Sequence, residues 1–270
     1  MTDREYRARE GISRSELWRL NPDNGGNPEK FKFFQDNPEE PTPVLIFGQM
    51  AHKLLLEPES FDEEFAVAPA VDRRTKDGKA IYAAFLAGLN GQQEIKADDF
   101  EKASAMVDIV KTYPFVGPLL DKVSGEHEKA IFWTDPFTGI KCKARLDVLT
   151  WVNGTPIIVD YKTAADASTD GFIRHALKYG YDFQSAMYSE GVEAITGKRP
   201  RFVFIAQEKE APYSGNVMEA DELFIQRGKD KFRELLGIYA ECMKTGNWYG
   251  YMGPEPVIAE LSLPAWAAEK

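Results

Sequence analysis

Cysteine and histidine are scarce in this chain of 270 residues, which has two of the first and three of the second. Cys142 and Cys242 stand far apart with no CxxC spacing. Neither a disulfide framework nor a thiolate zinc site is expected, and a reducing cytoplasm is the expected compartment. Long apolar runs are also missing. None approaches the roughly 20 residues needed to cross a bilayer, and the first residues, "MTDREYRARE", lack the apolar stretch of a secretion signal. No membrane association is expected. Positive charge is in deficit: 33 Lys and Arg against 43 Asp and Glu give a net charge of −10. Such a balance argues at first against nucleic acid, whose binders gain affinity from excess cations. Charge totals, however, say nothing of distribution. Basic clusters occur at 71–79, 141–145 and 197–201; each alone reads as solvated surface, and a basic channel within an acidic exterior stays open.

What is present is ordinary globular composition, 43% hydrophobic and 28% charged. Ser13-x-x-Glu16 is a capping box that starts a short helix. "TPVLIFGQMAHKLLLEPE" reads as a helix with Pro43 in its first turn, apolar nearly all round and so expected to be buried. A short strand at "EEFAVAP" and helices over roughly 77–90 and 98–112 follow, the latter opening on Asp98. From 126 the pattern turns to strands, "EHEKAIFW", "GIKCKARLDVLTW" and "TPIIVDYK", divided by "TDPFTG" and "VNG". Helices over roughly 168–179 and 181–196, a strand "RFVFIAQE" and a long amphipathic helix from "DELF" complete the pattern. No repeat or linker divides the chain. The expectation is one α/β domain over 1–270, with residues 1–125 mainly helical, an αβ core over 126–246, and an aromatic, proline-rich tail over 247–270 packed as an extended segment.

The chemistry sits in "IIVDYKTAAD", where a buried strand ends in Asp160 and Lys162. Asn153-Gly154 is the preferred two-residue turn of a type I′ hairpin. Joining the flanking strands through it sets Asp147 opposite Asp160 and Arg145 opposite Lys162, with the two carboxylates on one face. Opposed carboxylates need a compensating charge, either a neighbouring base or a metal ion. With oxygen ligands, no cysteine and few histidines nearby, Mg²⁺ or Mn²⁺ suits the site better than zinc. Lys162 is then placed to orient or deprotonate a water. The plainer reading is an exposed Asp–Lys pair on a surface hairpin, worth roughly 0–1 kcal/mol. Gln184 and Tyr188, four apart on a predicted helix, share a face. His52 lies on the apolar helix, where a histidine is most often a core residue.

An Asp on one strand followed by D-x-K on the next resembles the PD-(D/E)xK nuclease superfamily. "LIFGQMAHKLLLEPESFDEEFAVAP", "DRRTKDGK", "VDYKTAADAS", "ALKYGYDFQSAMYSEG" and the final "LPAWA" are similar to the exonuclease VIII (RecE) type nuclease domain of the RecB-like branch. In that branch a Q-x-x-x-Y signature, here Gln184 to Tyr188, follows D-x-K. Leu146 stands where the superfamily's name has proline. The resemblance implies a PD-(D/E)xK core, a central mixed β-sheet flanked by helices, with a helical N-terminal elaboration. It implies a Mg²⁺-dependent (Mn²⁺ substituting) 5′→3′ exonuclease of phage recombination type, acting on linear double-stranded DNA and leaving 3′ single-stranded tails. Asp147, Asp160, the Tyr161 backbone carbonyl and His52 of "GQMAH" would hold metal, with Glu128 in an outer shell. Lys162 would position the attacking water, and Gln184 and Tyr188 would lie beside the scissile nucleotide. Ser13, Arg14 and Ser15 resemble a segment that grips a terminal 5′-phosphate, which the capping box explains as well. Arg73, Arg74 and Lys76 would meet backbone phosphates. The implied partners are double-stranded DNA ends, a single-strand annealing protein and further copies of the chain in a ring, a tetramer or alternatively a trimer. An endonuclease on the same site is the second reading, and a catalytically idle DNA-end-binding module the third. The intact acid–acid–lysine set speaks against the last.

Overall fold

Residue 1 and residues 3–263 are described by the computed structural model, and the end of the tail with its "PAWA" segment lies outside them. Two strands, β1 (Phe65–Val67) and β2 (Gln93–Ile95), pair in parallel as a small separate sheet. The main sheet has five strands: β3 (Gly125–Thr134), β4 (Lys141–Val152), β5 (Thr155–Ala164), β6 (Arg201–Glu208) and β7 (Gly215–Glu219). They lie in sequence order and are antiparallel except β5–β6, which is parallel. A parallel neighbour needs a crossover. Here it is the helix pair Thr169–Tyr179 and Tyr181–Thr196, joined at Gly180 in left-handed conformation.

Alternation along the strands builds two cores. Ile158, Phe202, Phe204 and Ala206 meet Phe183, Met187, Phe232 and Leu236 of the crossover and of the long Glu222–Thr245 helix. Ile157, Val159, Val203 and Ile205 meet Met50, Leu56 and Val107 from the helices Pro43–Leu56 and Ala97–Val110. The helices on the first side pack very closely at Gly228, where a Cβ would overlap the Asp182 carbonyl.

Several expectations need correction. The Pro43–Leu56 helix is not buried all round: Val44 and Leu45 are exposed, while Met50, Ala51, Leu55 and Leu56 are buried. Asp98 sits in the first turn of its helix, whose N-cap is Lys96 without a side-chain cap bond. The helix Pro28–Asp36, capped by Asn27, forms in a stretch to which the sequence reading assigns no element. The tail packs at Trp248, whose ring stacks on Phe31 at 5.3 Å, but Val257, Ile258, Leu261 and Leu263 are exposed.

Candidate active site at a fork in the sheet

The Asn153-Gly154 turn sets the register read from the sequence, with Val152 opposite Thr155 and Val148 opposite Val159. The ladder then ends one step short of the acids, so Asp147 and Asp160 are not a hydrogen-bonded cross-strand pair. The β3–β4 ladder likewise runs on both sides of Asp147 but skips the step at Glu128. Glu128 holds φ 46°, a left-handed conformation unusual for a side chain with a Cβ. Both strands change phase here: Leu146 and Val148, two residues apart, belong to opposite cores. Such strain, of order 1–3 kcal/mol, persists where the surrounding structure enforces it and concentrates at functional sites. Beside it β4 and β5 diverge in a fork, their ladder ending at Val148 and Val159.

Side chains enter the fork from both faces. From the Pro43–Leu56 helix, His52 sets Nε2 2.6 Å from Asp147 Oδ2 and Nδ1 3.2 Å from Glu128 Oε1. Asp147 Oδ2 also accepts the Tyr161 N–H at 2.7 Å, a donor that would otherwise have served the ladder. Arg145, expected opposite Lys162, instead holds Glu128 Oε2 through Nε at 2.9 Å. From the other face, Gln184 Nε2 donates to Asp160 Oδ1 at 2.5 Å, and Asp160 Oδ2 contacts the Lys162 ammonium. That ammonium lies 5.1 Å from the centre of the Tyr181 ring.

Charge follows the geometry. Burial opposes a cationic His52, yet the Asp147 and Glu128 carboxylates raise it to about 10. Burial pushes Asp160 up to about 6, Lys162 opposing and Asp147 adding to the rise. Burial would raise Asp147 too, but His52 and Lys162 hold it below the usual carboxylate range. Lys162 is raised, its desolvation outweighed by Asp160 and Asp147. The two acids therefore belong to one electrostatic network, although they face different partners.

His52, Glu128 and Asp147 each offer a ligand atom, all within 4.8 Å of one another. Two carboxylates and one imidazole converging without sulfur fit a divalent cation. The proton that His52 keeps marks where positive charge is favoured. Glu128, expected in an outer shell, is thus a member of the converging set, while Asp160 is not among its three residues.

The remaining expected residues divide. Tyr188 is half-buried against the core near Asp160, and burial keeps its phenol neutral by raising its pKa. Arg14 lies close enough to sense Asp160 and Tyr188, but it donates from Nη2 to the carbonyls of Tyr179 and Gly180. Ser13 caps its helix, with Ser15 3.4 Å away. Arg73 pairs with Glu94 and lies over Tyr82, and Arg74 pairs with Asp72. Lys76, exposed, opens the Lys76–Gly88 helix. None of these last three contacts the fork residues among the described interactions. Sequence reasoning missed Arg145 as the partner of Glu128 and Tyr181 as the ring beside Lys162. The signal for Tyr181 was available: "YGYD" sets two aromatics around a helix-breaking glycine, just before Gln184.

One solved structure shares this architecture. A crystal structure from Eubacterium rectale, described as a "putative exonuclease", superposes with a TM-score of 0.65 at 17% identity, covering 97% of this chain and 96% of its own. The crystal structure of SSO0001 aligns over 86% of this chain and 81% of its own at 13% identity, with a TM-score of 0.36. None of the curated proteins matches the sequence. Residues 29–255 match the model of one family, and the chain belongs to it: the PDDEXK-like domain of unknown function (DUF3799).

Proposed function

We propose that this protein is a Mg²⁺-dependent exonuclease that hydrolyses the 5′-ended strand of linear double-stranded DNA and leaves a 3′ tail for a single-strand annealing protein. The observation that carries the reading is the meeting, at one fork, of a converging His52–Glu128–Asp147 set and the buried Asp160–Lys162 pair. His52, Glu128 and Asp147 would hold the metal, and Asp160 and the Tyr161 carbonyl would add to the set. When bound, the metal supplies neutralisation of the phosphate charge that grows during phosphodiester hydrolysis.

The chain's own groups do the rest. Lys162 keeps its proton at neutral pH, since the paired acids raise its pKa. It therefore acts as a hydrogen-bond donor that fixes the attacking water or a phosphate oxygen, and not as the base that removes a proton. Gln184 fixes one oxygen of Asp160 and so turns the other toward Lys162. Tyr188, kept as a neutral phenol, offers a hydroxyl beside Asp160 without adding negative charge where a phosphate must sit. Arg145 keeps Glu128 aligned with His52.

A ring of identical chains around the duplex reconciles a net charge of −10 with DNA binding. Support comes from the Lys76–Gly88 helix, which has only Gly78 buried and exposes Ile81 and Leu86. Exposed apolar faces of that kind are covered when copies associate. The test of the whole reading is digestion of linear duplex labelled at one end or the other, beside a circular plasmid. Mg²⁺-dependent release of the 5′ label with the circle intact supports it. Nicking of the circle makes the enzyme an endonuclease, and no cleavage with DNA still bound makes it a binding module.

A further inference from the structure

The lysine of the fork opens onto a group of aromatic rings that the hydrolytic chemistry does not use. His175 and Tyr179 lie 4.5 Å apart between centroids, and Tyr181 lies 5.6 Å from His175 and 6.3 Å, near parallel, from Tyr179. The inner end of this group is core: Tyr181 packs on Phe172 and Phe204. The outer end is not, for Tyr179 is 45% exposed. A ring this exposed gains little from burial where it stands, yet its backbone is held firmly. Arg14 donates to the carbonyls of Tyr179 and Gly180, and the Trp18 ring lies so close under Gly180 that no Cβ would fit there.

Charge around the rings runs against the acidic whole. Lys178 lies 5.4 Å from the Tyr179 ring centre, and the positive fields of Lys209, Lys178 and Lys162 all reach His175. Among the described residues Lys178 and Lys209 form no salt bridge. On a chain of net charge −10, an ammonium at an exposed ring whose neighbour His175 lies in a positive field favours an anion that also carries a flat face. A nucleotide of an unpaired strand is such a ligand: its phosphate meets the ammonium, and the base stacks on the ring.

We propose that Tyr179, with His175 behind it and Lys178 beside it, is a stacking subsite for an unpaired nucleobase of the strand drawn toward Lys162. This deepens the nuclease reading and rests on it. The subsite would capture the frayed terminal base and hold the strand away from its complement while the neighbouring phosphate enters the fork.

The test uses the full chain in EDTA, so that nothing is cut, and fluorescence anisotropy with a duplex carrying a short unpaired 5′ end. A second duplex has the same unpaired sugars and phosphates without bases. Stacking on one ring is worth about 1–3 kcal/mol per base, so the wild-type protein is expected to bind the base-bearing end roughly 5- to 150-fold more tightly. Tyr179→Ala is expected to erase that preference while binding the abasic end as the wild type does; Tyr179→Phe is expected to keep it. A Tyr179→Ala protein that retains the preference, or that weakens on both ends equally, overturns the subsite. If the wild type cleaves with Mg²⁺ but shows no preference between the ends, the subsite alone fails. If it neither binds nor cleaves either DNA, the nuclease reading fails and the subsite falls with it.

Discussion

Asp160 is 1% exposed and is kept ionisable by a lysine and an amide, so removing either partner is costly. Lys162→Met leaves a buried carboxylate without its cation, and breaking such a pair costs about 3–5 kcal/mol unless the acid takes up a proton. The expected outcome is a loss of nuclease rate of at least roughly 100-fold, the scale of a positioned charged hydrogen-bond donor. A lowered melting temperature that partly recovers toward acid pH should accompany it, read by calorimetry. His52 gives a second prediction. Its folded pKa, about 10, lies above its ordinary value of 6.5, so its contribution to metal-free stability is full below about pH 6.5. That contribution fades as pH rises through about 10. A divalent cation must displace that proton, so metal affinity should rise with pH and binding should release a proton. Titration calorimetry in buffers of different ionisation enthalpy would detect the release, and His52→Gln should abolish it. At this scale the sequence was partly legible. Asp147, Asp160, Lys162 and Gln184 announce themselves by spacing, because strand and helix periodicities dictate which side chains share a face. The inner place of Glu128 could not be read, because it depends on a backbone twist at one residue that no spacing records.

Strands and helices here follow from local pattern wherever both faces of an element meet similar surroundings. The β4–β5 hairpin register follows from Asn153-Gly154, whose turn geometry fixes pairing outward from the loop. It fails as a guide beyond Val148↔Val159, since pairing ends where tertiary contacts to His52 and Gln184 compete with the ladder. Strand β7 went unread because "GNVME" is short and half-polar, and its place depends on pairing with β6. The close approach of the crossover and the long C-terminal helix makes a sharp prediction. At Gly228 an added methyl overlaps the Asp182 backbone, which cannot move as the end of a flexible side chain would. Gly228→Ala should cost about 1–3 kcal/mol or more by overpacking, seen as a lower midpoint in urea. Gly237, on the same helix with open space around it, should tolerate alanine with little change.

For the whole molecule, helices pack on both faces of a mixed sheet, and the chain belongs to the PDDEXK-like family. Association of copies is the level at which sequence says least, because an exposed apolar helix looks like a buried one until the fold shows what covers it. Light scattering on a sizing column is expected to give a closed oligomer, a tetramer or a trimer, and Leu86→Lys is expected to shift it toward monomer. The proposed strand hydrolysis requires Asp147, held among His52, Glu128 and the Tyr161 N–H, to bind a divalent cation. Asp147→Asn keeps the size of the side chain and removes its charge. Measured on one preparation, this variant should remain folded and bind duplex ends, lose Mn²⁺ binding by calorimetry, and fail to degrade linear DNA. A folded Asp147→Asn protein that degrades DNA at the wild-type rate, or a wild-type protein equally active in EDTA, would contradict it.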